Sequence, residues 1–140
     1  MKLGLVTYNL ASDWDVPTII ERCQRTGFEG VELRTSHAHG VEPDLSPMAR
    51  AEVRQRFADS GVTLWGLGSV CEFHSPDPAV VREQIEMCRS FVKLAADVGA
   101  RGVKVRPNGL AEEQGIPVER TLEQTGLALR ECGQAAADAG

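Results

Sequence analysis

Apolar and polar positions in this chain follow two periods that take turns. Over 2–8, 31–34, 62–67 and 103–106 the apolar residues fall at or near every second position, as in Val31-Glu32-Leu33-Arg34 and Val103-Lys104-Val105-Arg106. That period predicts four strands, each showing one parity of side chains on either face. After each strand the step changes to three and four, which predicts a helix with one apolar stripe. The stripes are Val16, Ile20 and Cys23; Ala49, Val53 and Phe57; Val81, Ile85, Cys88, Val92 and Ala95; and Val118, Leu122, Thr125, Leu129, Cys132 and Ala136. Asp15 ahead of Pro17, and Ser46 ahead of Pro47, supply N-caps with proline in the first turn, while the third helix starts near Pro78. Glycines at 27, 61, 99 and 140 suit the left-handed position that ends a helix.

Those glycines lie 34, 38 and 41 residues apart, a spacing that fits strand, helix and two loops. Alternating strands and helices give a parallel sheet with right-handed crossovers. An open doubly wound sheet is the weaker option. Gly66-Leu67-Gly68-Ser69 has the look of a phosphate loop, but the next helix starts too far away to offer its N-terminus, so these glycines read as a plain turn. The expected fold class is α/β, built from parallel (β/α) units: four of the eight units of a TIM barrel, a half-barrel. A complete barrel typically needs about 250 residues, roughly 110 more than are present. Residues 1–140 are therefore expected to be one barrel domain, incomplete at its carboxyl end.

Composition narrows the function. Fifteen basic against twenty acidic residues give a net charge of −5, which argues against non-specific binding to nucleic acid or to an anionic membrane. Apolar runs are too short for a transmembrane helix, and Met1-Lys2 leads into a strand with no apolar leader, so the cytoplasm is the expected compartment. Four cysteines show no metal-binding spacing, and buried thiols are expected for the three on helices.

Strand parity points to the chemistry. With Val31, Leu33, Val103 and Val105 turned to the helices, Glu32, Arg34, Lys104 and Arg106 point to the barrel interior. Unpaired buried charge is costly, and strands two apart share interior layers, so Glu32 and Lys104 are expected to pair. Arg34 and Arg106 lie nearer the carboxyl ends, where ligands bind in such folds. The loops there add Tyr8, Glu72, His74 and Asn108, together with His37 and His39, which read as solvent-facing loop residues. Glu72 and His74, one residue apart, share a side of an extended segment and could chelate a metal or form a base with its orienting partner. The expected substrate-binding set is Tyr8, Glu32, Arg34, Glu72, His74, Lys104, Arg106 and Asn108.

Three stretches, Lys2-Leu3-Gly4-Leu5-Val6-Thr7-Tyr8, Gly27-Phe28-Glu29-Gly30-Val31-Glu32-Leu33 and Leu94-Ala95-Ala96-Asp97-Val98-Gly99-Ala100-Arg101-Gly102-Val103-Lys104-Val105, resemble the sugar phosphate isomerase/epimerase family with its xylose-isomerase-like barrel. The resemblance covers the amino-terminal half of the family's length. It implies a sugar or sugar phosphate as substrate. It also implies a divalent metal, manganese or magnesium, held by two Glu, an Asp and a His from strands 5 to 8. The metal would polarise a carbonyl while one of the two Glu moves the neighbouring proton. Those positions lie beyond Gly140, so the catalytic residues are unknown within this chain. It is expected to hold no tight metal and to be inactive alone, contributing Tyr8, Glu32 and the loop around Glu72 and His74 to substrate contact.

Two other readings stay open. The apurinic endonucleases resemble the same barrel, yet they need a positive surface for DNA. A half-barrel is also expected to pair with itself or with a missing half, whether as a non-catalytic assembly module or as a truncated product, since open strand edges and apolar faces seek partners.

Overall fold

The strands β1 (Gly4–Val6), β2 (Gly30–Arg34), β3 (Thr63–Gly68) and β4 (Val103–Lys104) form one parallel sheet in the order β1-β2-β3-β4. The structure, a computed structural model, describes residues 2–140. A sheet wound in sequential order puts successive crossover helices on the same face, whereas a doubly wound sheet reverses its strand order and is covered on both. This topology is the four-unit section of a (β/α) barrel.

The helices are α1 (Thr7–Leu10), α2 (Val16–Thr26), α3 (Pro47–Ser60), α4 (Pro78–Val98) and α5 (Val118–Asp138), with a 3₁₀ turn at Glu112–Gln114. Asp15 caps α2 by accepting the Thr18 amide at 2.9 Å, and Ser46 caps α3 through Ala49 at 3.2 Å. Gly27, Gly61 and Gly99 end α2, α3 and α4 with φ of 78°, 73° and 76°. Gly140 also has positive φ, but α5 is capped by Ala139 in right-handed geometry. The first strand is shorter than the pattern predicts. Thr7 and Tyr8 turn into α1, because Thr7 is drawn into hydrogen bonds with the next strand.

The helix-facing side holds the main core. Leu5, Val31, Leu33, Leu64 and Leu67 from the sheet meet Ile19 and Cys23 of α2, Val53 and Phe57 of α3, and Phe91, Leu94 and Val98 of α4. On α2 it is Ile19, not Ile20, that is fully buried beside Val16 and Cys23. A second cluster, with Cys71, Phe73, Val81, Ile85, Cys88, Ala128 and Cys132, joins α4 to α5. All four cysteines are buried and free.

The largest departure from the pattern is on α5. Its buried residues are Thr121, Ala128 and Cys132, whereas Leu122 and Leu129 of the expected stripe are 58% and 38% exposed. α5 packs against α4, and Leu129 lines a cavity that it shares with Val92, Val103 and Val105.

The opposite sheet face, the barrel interior, carries Gly4, Val6, Gly30, Glu32, Trp65 and Gly68. Its amino-terminal part is a concavity of about 520 Å³ edged by Arg101, whose guanidinium sits 5.4 Å from the Trp65 ring. Trp65 is an inserted residue. Val31 pairs with Leu64 but Glu32 pairs with Gly66, so β3 bulges there and sends Leu64 and Leu67 both to the helix side.

Candidate functional site

The polar groups gather at the carboxyl ends of the strands, over the part of β3 where Gly66 and Gly68 present no side chain to the inner face. Gly66 stands opposite Glu32, and Gly68 stands between Arg34 and Lys104. These glycines belong to the strand and do not form a turn. Their role is close approach: a Cβ on Gly68 would lie 2.9 Å from Glu32 Oε1 and 3.4 Å from Arg34 Cδ. Glu32 therefore extends across β3, and its Oε1 meets Lys104 Nζ on β4. The Glu32 side chain is 15% exposed and that of Lys104 50%, so the pair lies at the mouth with one end in solvent, not in the core.

Arg34, the last residue of β2, is fixed at three points. Its amide donates to Thr7 Oγ1 at 2.9 Å, its carbonyl accepts from His39 Nε2 at 2.8 Å, and its Nη1 donates to the Ser69 carbonyl at 2.6 Å. The guanidinium lies 5.6 Å from the centre of the Tyr8 ring. Tyr8 thus joins the site from α1, not from the strand end, and remains exposed.

Glu72 and His74 do share a side. Phe73 between them is fully buried, and Glu72 Oε2 lies 3.8 Å from His74 Nδ1. Arg106 Nε lies 4.0 Å from Glu72 Oε1. β4 ends at Lys104, two residues before the predicted end, but the Arg106 amide donates to the Cys71 carbonyl at 2.8 Å, which carries the parity onward. Asn108 is exposed in the following loop, its amide bonded to the Arg106 carbonyl at 2.9 Å. Next to it, Gly109 is pressed on the imidazole of His74, so that a Cβ there would overlap the ring.

Sequence reasoning missed His39, Thr7 and Ser69. His39 is buried, not solvent-facing. Its Nε2 must carry the proton given to the Arg34 carbonyl, and its Nδ1 accepts from the Val41 amide at 3.0 Å. Burial lowers its pKa, opposed by the Arg34 carbonyl and by Glu42, with His37 adding to the lowering. His37 Nδ1 lies 3.2 Å from Thr7 Oγ1. A polar Thr at the end of an apolar strand and a Ser directly after Gly68 were the available signals.

The family fold implies a divalent metal, and these residues do not fit one. Among the described residues no group of three or more His, Cys, Asp or Glu is placed to hold an ion. Glu72 and His74 offer two donors with the Arg106 cation beside them. Among the described residues, no helix is long and apolar enough to cross a membrane.

A four-unit parallel sheet wound in sequential order, with polar residues at the carboxyl ends of its strands, defines a section of a (β/α) barrel. The family model for the xylose isomerase-like TIM barrel matches residues 20–140, and the chain belongs to that family. Solved structures agree on the fold. The IOLI protein with a bound zinc atom matches with a TM-score of 0.82 at 20% identity, over 100% of this chain and 49% of that one. D-psicose 3-epimerase with D-tagatose, from Clostridium cellulolyticum H10, matches with 0.81 at 19%, over 100% and 50%. L-ribulose 3-epimerase matches with 0.74 at 21%, over 100% and 48%. The chain spans about half the length of these proteins. No curated protein matches it.

Two predictions follow from this geometry. Gly109→Ala is expected to destabilise the fold by roughly 1–3 kcal/mol, the usual cost of overpacking, and to shift the imidazole resonances of His74; unchanged resonances would refute the contact. For His39, the folded pKa lies below the unfolded value of about 6.5, so the unfolded chain binds the proton first as pH falls. Stability is then complete above that value and declines below it. Urea denaturation at about pH 7.5 and about pH 5.5 should show the loss, and His39→Gln should remove that component.

Proposed function

We propose that this chain is the substrate-contacting half of a sugar isomerase/epimerase-type barrel and binds a small sugar at the mouth formed by Glu32, Lys104, Arg34, Glu72, His74 and Arg106. The observation that carries the reading is the convergence of these side chains on the carboxyl ends of the strands, where barrels of this architecture bind ligands. Neighbouring carboxylates, cations and an imidazole offer both acceptors and donors, which is what a polyol needs. Tyr8 and Asn108 flank the mouth and complete the set. In this reading the chain binds and orients the substrate. The acid/base pair and the divalent metal come from outside residues 1–140, so the chain alone does not isomerise sugars. An endonuclease role is less well supported, because DNA binding needs a strong basic footprint and here two of the cations stand beside carboxylates.

Saturable titration of the 140-residue chain with D-tagatose or D-fructose is the direct test. Lys104→Gln, which keeps a donor to Glu32, is expected to weaken binding about tenfold and to change stability by less than about 1 kcal/mol, since the pair is half in solvent. If stability fell sharply while affinity held, the pair would be structural only.

A second prediction concerns association. β1 and β4 have no outer neighbour in the sheet, and Val6, Trp65, Leu122 and Leu129 are exposed on the inner face and the α5 flank. The isolated chain is therefore expected to self-associate through these surfaces. Light scattering that gave a monomer over a wide concentration range would count against it, and Leu122→Gln with Leu129→Gln should weaken the association.

A further inference from the structure

We infer that Cys71 and Cys88 form an oxidisable dithiol, a site of disulfide modification by a small organic disulfide. The four cysteines are all buried and free, but they do not share one environment. Cys23 lies among the apolar residues of the main core, where burial raises its pKa, and that cluster holds no second cysteine among the described residues. Cys71, Cys88 and Cys132 come from the loop after β3, from α4 and from α5, and meet in the second cluster. There the Cys88 side chain stands between the other two and is hydrogen-bonded to both.

Two features separate this cluster from inert buried thiols. Apolar burial keeps a thiol protonated and unreactive. At Cys71 the hydrogen bond from Cys88, opposed by burial and aided by Ser69, lowers the pKa to about 7. Cys88 is raised in turn, first because its S–H is held by Cys71. The second feature is access. A cavity of about 590 Å³ between α4, α5 and β4 is lined by Cys88 and Cys132, whereas Cys71 is fully buried. A small disulfide RSSR therefore meets Cys88 first. Cys88 passes its proton to the Cys71 sulfur, and its thiolate attacks RSSR to form Cys88–S–S–R and RS⁻. That RS⁻ takes the proton back from Cys71, whose thiolate attacks Cys88 Sγ and expels a second RS⁻. The second RS⁻ recovers from solvent the proton that Cys71 had lost. Two protein thiols are oxidised to one disulfide, and RSSR is reduced to two RSH. Cys132 also lines the cavity, but burial holds it protonated against a weaker opposing effect of Cys88, so Cys71 resolves the adduct. The new bond ties α4 to the residue before Glu72, whose amide already donates to Gln84 of α4 at 3.1 Å.

The test is treatment of the folded 140-residue chain with hydroxyethyl disulfide, read by thiol count, intact mass and peptide mapping without reduction. Two of the four thiols are expected to disappear, with no hydroxyethyl group retained and Cys71 linked to Cys88. The amide resonances of Glu72 and Gln84 should shift while circular dichroism stays unchanged, and dithiothreitol should reverse the change. Cys23→Ser and Cys132→Ser should form the same link. Cys71→Ser should halt at the mixed disulfide on Cys88, and Cys88→Ser should lose no pair of thiols. The same treatment in urea, where any two cysteines can meet, supplies the scrambled reference. Four thiols that stay free in the folded chain, a Cys88–Cys132 link, or a map that matches the urea reference overturns the inference. Where a serine variant does not fold, the map of the unaltered chain decides by itself.

Discussion

The bare inner side of the carboxyl half of β3, at Gly66 and Gly68, is the constraint on which the mouth depends. Glu32 and Lys104 stand on strands that are not neighbours, and a side chain on the strand between them would keep them apart. With glycine at 66 and 68, the carboxylate of Glu32 lies over the backbone of β3 and reaches the ammonium on β4. The same gap accepts the Arg34 side chain, whose Cδ would be 3.4 Å from a Cβ on Gly68. Glycine in a strand interior weakens the strand. Here the weakening falls on the face that carries no core, while Leu64 and Leu67 of the same strand stay in the helix-side core.

That division also explains what the sequence revealed. Val31 and Leu33 had to face an apolar layer, which turned Glu32 and Arg34 the other way, and the pairing with Lys104 followed from parity and from the shared layers of strands two apart. Helix ends at Gly27, Gly61 and Gly99 were readable because a left-handed backbone leaves few alternatives to glycine. Other features depend on contacts distant in sequence. Tyr8 extends the alternation of the first strand, but the chain turns into α1 at Thr7, whose Oγ1 accepts from the Arg34 amide. His39 sits in a polar loop, and nothing local distinguishes a solvated imidazole from one buried between the Arg34 carbonyl and the Val41 amide. The glycines of β3 resemble a turn until the strands on either side are in place.

On α5 the pattern and the structure disagree for a different reason. The stripe through Leu122, Thr125, Leu129 and Cys132 has helical spacing, but burial depends on what lies opposite. α4 covers Ala128 and Cys132, while Leu122 stays exposed and Leu129 borders a cavity shared with Val103 and Val105. A helix in a barrel packs on its own strand and on the next one. Periodicity therefore records more than the contact with α4 alone.

The two faces of the sheet carry different kinds of interaction. On the helix side stability comes from apolar contact, which tolerates small shifts because it is non-directional. On the inner side it comes from directed bonds: Thr7, His39 and Ser69 on Arg34, and Glu32 on Lys104. Directed bonds add little net stability, since they replace bonds to water, but they hold a charged group in one orientation. Buried polar residues are expensive to place, and those on the inner side meet at the end of β2 and not along the whole face. Their position makes the carboxyl end of β2 the part of the inner face whose geometry is most closely set.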